Sequence, residues 1–234
     1  MGGPIWFRMT DGTLYHLPDD YDVQINRTIP YYAEFIKETI NLLLSMESPP
    51  KLWLDTGCGT GKIVTMALDL FPETHFLLAD PSEKMLDQAK KKLETQERVR
   101  FLDPVCTQDL RVLVTESPDV ITAIQCHHYL SKGERKKAVR ACFDMLADDR
   151  TFVTFENVRP LTAVGIEIGK KNWGRFQRGM GKSRSEVESH LARFDREYFP
   201  ITVIEHLELL RDAGFSTVEL FWYSYMQAGF YCIK

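Results

Sequence analysis

Lys51-Leu52-Trp53-Leu54-Asp55-Thr56-Gly57-Cys58-Gly59-Thr60-Gly61 is a short apolar run ending in an acid, followed by three alternating glycines. It opens into the apolar-periodic segment Ile63 to Leu70. That order predicts a buried strand, a tight loop and a helix N-terminus. Glycine lets the backbone turn sharply and approach a ligand without a Cβ in the way. The helix start offers unpaired N–H groups and the positive end of the helix dipole. The spacing G-x-G-x-G differs from the dinucleotide fingerprint G-x-G-x-x-G. Without a Lys-Ser/Thr pair after the glycines it is not a triphosphate-cradling loop either. Downstream, His75-Phe76-Leu77-Leu78-Ala79-Asp80 reads as a second buried strand, ending in an acid 25 residues after Asp55. A carboxylate there can accept both hydroxyl hydrogens of a ribose. A glycine-rich turn in an unrelated α/β protein would lack this pairing of acids at two strand ends.

A chain of 234 residues can bury one substantial core. Its 44% hydrophobic and 26% charged content is that of an ordinary globular protein. No apolar run approaches the roughly eighteen residues of a membrane span, and the N-terminus shows no secretory pattern. The five cysteines (58, 106, 126, 142 and 232) are scattered and without C-x-x-C spacing. That argues against a zinc site or disulfide framework, and a reducing cytoplasmic location is expected. The net charge of −4 argues against a generally nucleic-acid-binding surface. From Arg159 to Arg196, however, nine Lys/Arg stand against four Asp/Glu. This basic insert is either a solvated helical face or a lid that attracts an anion.

Along the chain, residues 1–25 carry aromatics and turn formers without periodicity. Asn26 is expected to cap one amphipathic helix that carries Pro30 in its first turn and ends at Ser48-Pro49-Pro50. Ser82 is expected to cap the helix after Asp80. Val99 to Leu102, Asp119 to Gln125 and Thr151 to Asn157 read as strands three to five, with a helix from Ser131 to Leu146. Ser183-x-x-Glu186 forms a capping box. A last helix from Ile201 to Ala213 stops at Gly214, and Phe215 to Tyr223 and Ala228 to Ile233 alternate as a closing antiparallel pair. The fold expected is α/β: a doubly wound, seven-stranded, mostly parallel sheet with an antiparallel C-terminal hairpin. The chain is expected to form a single domain over 1–234, with a helical lid region at 1–48 and a helical insert at 157–200 over the acceptor site. Adjacent His127 and His128 follow strand four, where ligands of α/β sheets gather. They could be general bases, substrate-orienting groups, structural histidines or metal ligands. Metal is disfavoured because consecutive side chains diverge and no Cys or carboxylate completes a ligand spacing.

The L-D-x-G-x-G-x-G run with Asp80 resembles the class I S-adenosylmethionine (SAM)-dependent methyltransferases, in a Rossmann-like fold. The resemblance implies SAM as cofactor, with S-adenosylhomocysteine (SAH) as product. It places Asp55, Thr56, Gly57, Cys58, Gly59 and Gly61 around the cofactor, with Asp80 on its ribose. Pro81 and Met85 would flank the adenine, and Gln125 would lie near the sulfonium. The family commonly places an Asp after strand three for the adenine amino group. Here that position falls on Cys106, a poor acceptor, so the contact passes to Thr107, Gln108 or backbone groups. A small-molecule acceptor is expected, with His127 or His128 as the base if a proton must leave. Tyr21, Arg27, Tyr31, Tyr129, Arg159, Arg175, Arg178, Tyr223, Tyr225 and Gln227 are the candidates to line its site. No membrane partner is expected, nucleic acid is an unlikely partner, and a homodimer is possible.

A narrower resemblance rests on Ile25-x-Arg27-x-x-Pro30-Tyr31, the insert, and His206-x-x-x-Leu210-x-x-Ala213-Gly214-Phe215 with the hairpin. These are similar to carboxy-SAM synthase, which acts in tRNA wobble-uridine modification, and to its uncharacterised methyltransferase relatives. In that family an arginine on the insert pairs with the extra carboxylate of the modified cofactor. Counting back from Ala213-Gly214-Phe215 puts Leu191 at that position, two residues before Arg193. Methyl transfer from unmodified SAM to a small, possibly anionic acceptor is therefore the expectation. A carboxy-SAM synthase or tRNA-directed enzyme comes second, and a non-catalytic SAM-binding regulator third.

Overall fold

A computed structural model describes residues 21–234; the turn formers from Tyr15 to Asp20 lie outside the described residues. The chain runs α1 (Tyr21–Thr28), α2 (Tyr32–Leu44), β1 (Leu52–Thr56), α3 (Lys62–Ala67), β2 (His75–Ala79), α4 (Glu83–Leu93) and β3 (Val99–Phe101). It continues through β4 (Val120–Ile124), α5 (Lys132–Met145), β5 (Thr151–Asn157), α6 (Ala163–Gly179), α7 (Arg184–Ala192), α8 (Val203–Asp212), β6 (Thr217–Ser224) and β7 (Gln227–Ile233). Single-turn 3-10 segments at Thr107–Val112 and His127–Tyr129 follow β3 and β4.

The strands form one seven-stranded sheet in the order β3-β2-β1-β4-β5-β7-β6. The first five are parallel, and β7 enters antiparallel between β5 and β6. Strand alternation splits the core into two faces. Leu52, Leu54, Ile121 and Phe152 pack toward Val139, Cys142, Met145 and Leu210 of α5 and α8. Trp53, Phe76 and Leu78 pack toward α2, α3 and α4 through Ile40, Val64 and Leu86. A third cluster joins Phe155 of β5 to Phe35 of α2 and Trp173 of α6. The order reverses between β1 and β4, which opens a crevice at their carboxyl ends, the ligand side of such sheets.

The capping box expected at Ser183 with Glu186 forms, and two more form at Ser131 with Glu134 and at Thr202 with Glu205. The single helix expected from Asn26 to about Ser48 is instead two helices, broken at residues 29–31. Pro30 has no N–H and disfavours a helical residue before it, and Tyr31 takes a left-handed φ of 60°. The break leaves the Thr28 carbonyl to accept from Trp173 Nε1 (2.7 Å) and Gln177 Nε2 (3.2 Å) of the insert.

Candidate active site

The glycine loop bridges β1 and α3. Gly57 and Gly59 take φ of 63° and 54°, a region that favours glycine. A Cβ on Gly57 would come within 2.4 Å of Cys126 Cβ, whereas nothing lies within 4 Å of one on Gly59. The first glycine thus permits packing against the end of β4, and the second faces open space. The loop is held from β2: the Cys58 N–H donates to the Ala79 carbonyl (3.1 Å) and the Gly59 N–H to Asp80 Oδ2 (2.9 Å). Asp80 Oδ1 accepts from the Ser82 N–H (2.8 Å) at the start of α4. Each Asp80 oxygen keeps a second lone pair. Burial pushes its carboxyl up to about 6 against these two donors.

Asp55 stands at the end of β1 on the α2–α4 face. Its Oδ1 accepts from the Thr122 hydroxyl (2.7 Å), which accepts from the Trp53 indole N–H (2.9 Å). Oδ2 is buried with no hydrogen-bond partner among the described residues. Burial lifts this carboxyl to about 7; the Thr122 hydrogen bond opposes the rise and the Asp80 charge adds to it.

Of the other expected cofactor residues, Thr56 and Thr107 share a buried hydroxyl–hydroxyl hydrogen bond of 2.7 Å. Cys106 precedes that turn, half-buried, its thiol pushed up to about 11 by burial. Gly61 faces Leu93 and Ala89 of α4. Pro81 is exposed and Met85 half-buried at the mouth of the crevice.

Across Cys126 from the glycine loop, a cavity of about 110 Å3 lies between α1, the ends of β4 and β5, and α7. Tyr21, Gln125 and Tyr129, expected from the sequence, line it; Gln24, Asn157, His190, Arg193 and Tyr198 join them unforeseen. Gln125 takes a left-handed φ of 58°, a conformation that costs an ordinary residue about 1–2 kcal/mol. Both its amide atoms are buried without partners among the described residues, as are Gln24 Oε1 and the Tyr198 hydroxyl. A buried polar atom without a partner costs about 1–3 kcal/mol, so this concentration marks a surface shaped for a ligand. A wider groove of about 590 Å3 between the 107–112 turn, α5 and α8 includes none of these residues.

Several expectations are corrected by position. His127 is 3% exposed and lies over Phe152 in the α5–α8 core. Its Nε2 meets Thr107 Oγ1 at 3.2 Å, and burial lowers its pKa to about 4. The two nitrogens of His128 face Glu156 (2.7 Å) and Asn157 (3.1 Å). Neither ring nitrogen of His128 is left for a substrate. Arg27 donates to the Met180 and Gly181 carbonyls (both 2.9 Å), clasping α1 to the insert. Arg159 pairs with Asp195 and lies over Phe194, while Arg175 and Arg178 point to solvent on α6. Tyr31 and Tyr225 contact each other outside the cavity, Tyr223 is exposed, and Gln227 is buried behind Asn157.

The insert residues exchange the roles expected of them. Leu191 packs inward, where a Cβ on Gly174 would come within 3.1 Å of its Cδ1. Arg193, the C-cap of α7, lines the cavity, its Nε donating to Glu197 Oε2 (2.5 Å). The count back from Gly214 crosses the loop at 195–202, and loop length is the least constrained part of a fold.

Sheet order, acid-bearing strand ends and glycine loop together give the fold of the class I SAM-dependent methyltransferases, and the comparisons support SAM as the cofactor. The family model described as a methyltransferase domain matches residues 54–151. Carboxy-S-adenosyl-L-methionine synthase of Trichodesmium erythraeum (strain IMS101) is 24% identical over 200 residues, covering 85% of this chain and 79% of that protein. Carboxy-S-adenosyl-L-methionine synthase 1 of Yersinia pseudotuberculosis serotype IB (strain PB1/+) is 26% identical, covering 86% and 84%. A solved putative O-methyltransferase from Nostoc punctiforme PCC 73102 matches with a TM-score of 0.65 and 16% identity, over 92% of this chain and 60% of that one. Human N-acetylserotonin methyltransferase in complex with SAM matches with a TM-score of 0.57 and 14% identity, over 91% and 58%. The chain therefore spans less than two thirds of those two solved chains. Among the described residues, no helix is long and apolar enough to cross a membrane.

Proposed function

We propose that this chain moves a methyl group from SAM to a small acceptor bearing a carboxylate, and that Arg193 holds that carboxylate. The observation that carries this reading is the placement of Arg193 in the cavity that Gln125 and Asn157 also line, at the ends of β4 and β5. A guanidinium suits a planar anion because its forked N–H groups match two carboxylate oxygens. The residues present also fit the cofactor. The unpartnered Asp55 Oδ2 suits its ammonium group, the second lone pairs of Asp80 suit its ribose hydroxyls, and the open side of Gly59 leaves room for it. When bound, SAM supplies a methyl group already activated by its sulfonium. The protein must then align the acceptor and exclude water, a contribution of up to about 7–11 kcal/mol. Gln125, at the junction of crevice and cavity, is placed to do the aligning. With both His128 nitrogens engaged and His127 in the core, the accepting atom must attack without giving a proton to either histidine.

The position of Arg193 favours one further reading, in which the carboxylate belongs to the cofactor. The relatives named carboxy-SAM synthases point the same way, and a cavity of about 110 Å3 holds only a small group. A competition titration of SAM against carboxy-SAM, together with the mass of any ligand that co-purifies, separates the two. Methyl transfer to an anionic acceptor expects both cofactors to bind within a few-fold. A strong preference for carboxy-SAM that Arg193→Ala abolishes would replace the first reading with the second. Leu191→Arg is expected to destabilise the insert in either case, because Leu191 packs against Gly174.

A further inference from the structure

Glu156 ends β5 as a buried carboxylate, and the mechanism above leaves it unused. It accepts four hydrogen bonds: from the His127 N–H (3.1 Å), the Thr154 hydroxyl (3.0 Å), the His128 N–H (2.8 Å) and His128 Nδ1 (2.7 Å). Burial raises its pKa, but the His128 hydrogen bond and the charges of the neighbouring histidines outweigh this and hold it down at about 2. The Asn157 backbone N–H approaches the same nitrogen at 3.4 Å, but the Glu156 oxygen at 2.7 Å is the nearer partner, and as an ionised acceptor it requires the hydrogen on Nδ1. Burial meanwhile lowers the His128 pKa, with Glu156 opposing and the Arg135 and Arg193 charges assisting. The ring is therefore neutral, and Nε2 presents a lone pair.

That lone pair faces the Asn157 side-chain nitrogen at 3.1 Å, and Gln227 Nε2 lies 3.3 Å from Asn157 Oδ1. Both contacts select one orientation of the Asn157 amide, with nitrogen to His128 and oxygen to Gln227. The amide nitrogen carries two hydrogens. His128 takes one, and Asn157 lines the cavity that Arg193 also lines. Successive strand residues face opposite sides of a sheet, so Glu156 and Asn157 belong to different faces joined over the strand end by the His128 ring.

We infer that Asn157 is a specificity-determining residue that gives its second amide hydrogen to the substrate carboxylate, with Glu156 and His128 as positioning residues. The relay turns a fixed negative charge on one side of β5 into an N–H donor on the other. A carboxylate then meets donors on two sides, from Arg193 and from Asn157. This rests on the reading that the cavity takes an anion.

Two measurements test it. In 15N-histidine-labelled protein, with His128 assigned by difference against His128→Gln, the ring should be an Nδ1–H tautomer with bare Nε2 from pH 7 to 8. Asn157→Asp, which sets His128 between two carboxylates, should make it doubly protonated over the same range. An Nε2–H tautomer in the unmodified protein overturns the inference. Calorimetry then uses two probes, carboxy-SAM, and malonate in the presence of SAH, to cover a carboxylate on the cofactor or on the acceptor. Whichever probe loses affinity in Arg193→Ala should lose tenfold or more in Asn157→Asp and several-fold in Asn157→Ser, which removes the donor without adding charge. Thermal melting of each variant establishes that it is folded. Loss in Arg193→Ala without loss in either Asn157 variant overturns the inference and leaves the proposed function standing. No loss for either probe in any variant overturns the anion reading, and the inference with it.

Discussion

Asp80 and Asp55 stand at the ends of adjacent strands, and their hydrogen bonds separate their roles. Asp80 holds the glycine loop and α4 by two backbone N–H groups, so it builds the crevice; that its remaining lone pairs meet a ribose is part of the proposal. Asp80→Ala should weaken SAM and SAH alike by about 1.5–3 kcal/mol, as for hydrogen bonds to a charged group. Calorimetry finding unchanged affinity would remove the ribose assignment. Asp55 is the group that makes binding pH-dependent. Its carboxyl is pushed up to about 7 by burial, so below that pH it is largely protonated in the unliganded protein. Pairing with the ammonium of the cofactor needs the ionised form. Binding near pH 6 should therefore release up to about one proton from this site, and affinity should climb from pH 5.5 to 7.5. Titrations in two buffers of different ionisation heat read the proton directly. If Asp55→Asn leaves the pH dependence as steep as before, the proton comes from elsewhere.

Among the elements, α1 links the cofactor crevice to the insert. Asp22 accepts from the Thr60 hydroxyl (2.6 Å) in the glycine loop and pairs with Lys92 of α4 (2.6 Å). At the other end Arg27 grips the Met180 and Gly181 carbonyls, while the Thr28 carbonyl receives Trp173 and Gln177. The half-exposed ion pair contributes little by itself; the buried indole and amide bonds are the firmer attachment. We expect α1, α6 and α7 to act as one cover over the crevice and cavity, with their amides slowing together in hydrogen exchange when SAH binds. Exchange that is equally slow with and without SAH would rule this out. Arg27→Ala should speed exchange in α1 and around residues 180–181 while leaving β1 and β2 protected.

For the whole molecule, burying so many titratable groups at one sheet edge sets its response to acid. Burial lowers His127 to about 4 and His190 and His206 to about 3, and lowers His128 as well. Unfolded, each would titrate near about 6.5, so these four leave folding unpenalised above that pH and oppose it as pH falls below about 6.5. Asp55 and Asp80 act with the opposite sign, since folding raises their pKa to about 7 and about 6. Glu156, held at about 2, adds stability above the ordinary carboxylate range that is lost on stronger acidification. Near pH 5, His127, His190, His206 and Glu156 outweigh the two aspartates by about one proton taken up on unfolding, and His128 adds to that uptake. The urea midpoint should therefore fall between pH 6.5 and 4.5. A midpoint that instead rises as pH falls across that range would show that the histidines titrate normally in the folded protein and that the two aspartates dominate.

Most of the fold was readable because its signals are local. The glycine loop, the two acids, the Ser82 and Ser183 capping residues, and the alternation of Phe215 to Tyr223 and Ala228 to Ile233 each act within a few residues of chain. The same locality brings Asp55, Asp80 and the loop glycines together at one crevice, where we propose the cofactor binds. Other features depend on which distant segments meet. Whether Pro30 starts a helix or divides one was settled by Trp173 and Gln177, which claim the carbonyl left open at Thr28. His127 and His128 are alike as neighbours in sequence, yet the first turns into the α5–α8 core and the second toward Glu156 and Asn157. Leu191 and Arg193 differ by two residues at the end of one short helix, and only the packing of α7 against Gly174 decides which faces the insert and which the cavity. A helical step of two residues turns a side chain by about 200°, so an uncertainty of two residues in loop length exchanges core for cavity. The sequence by itself determined the sheet, its glycine loop and the cofactor it serves. The tertiary structure alone decided what stands across the cavity from that cofactor, because residues far apart in the chain are brought together there only by packing.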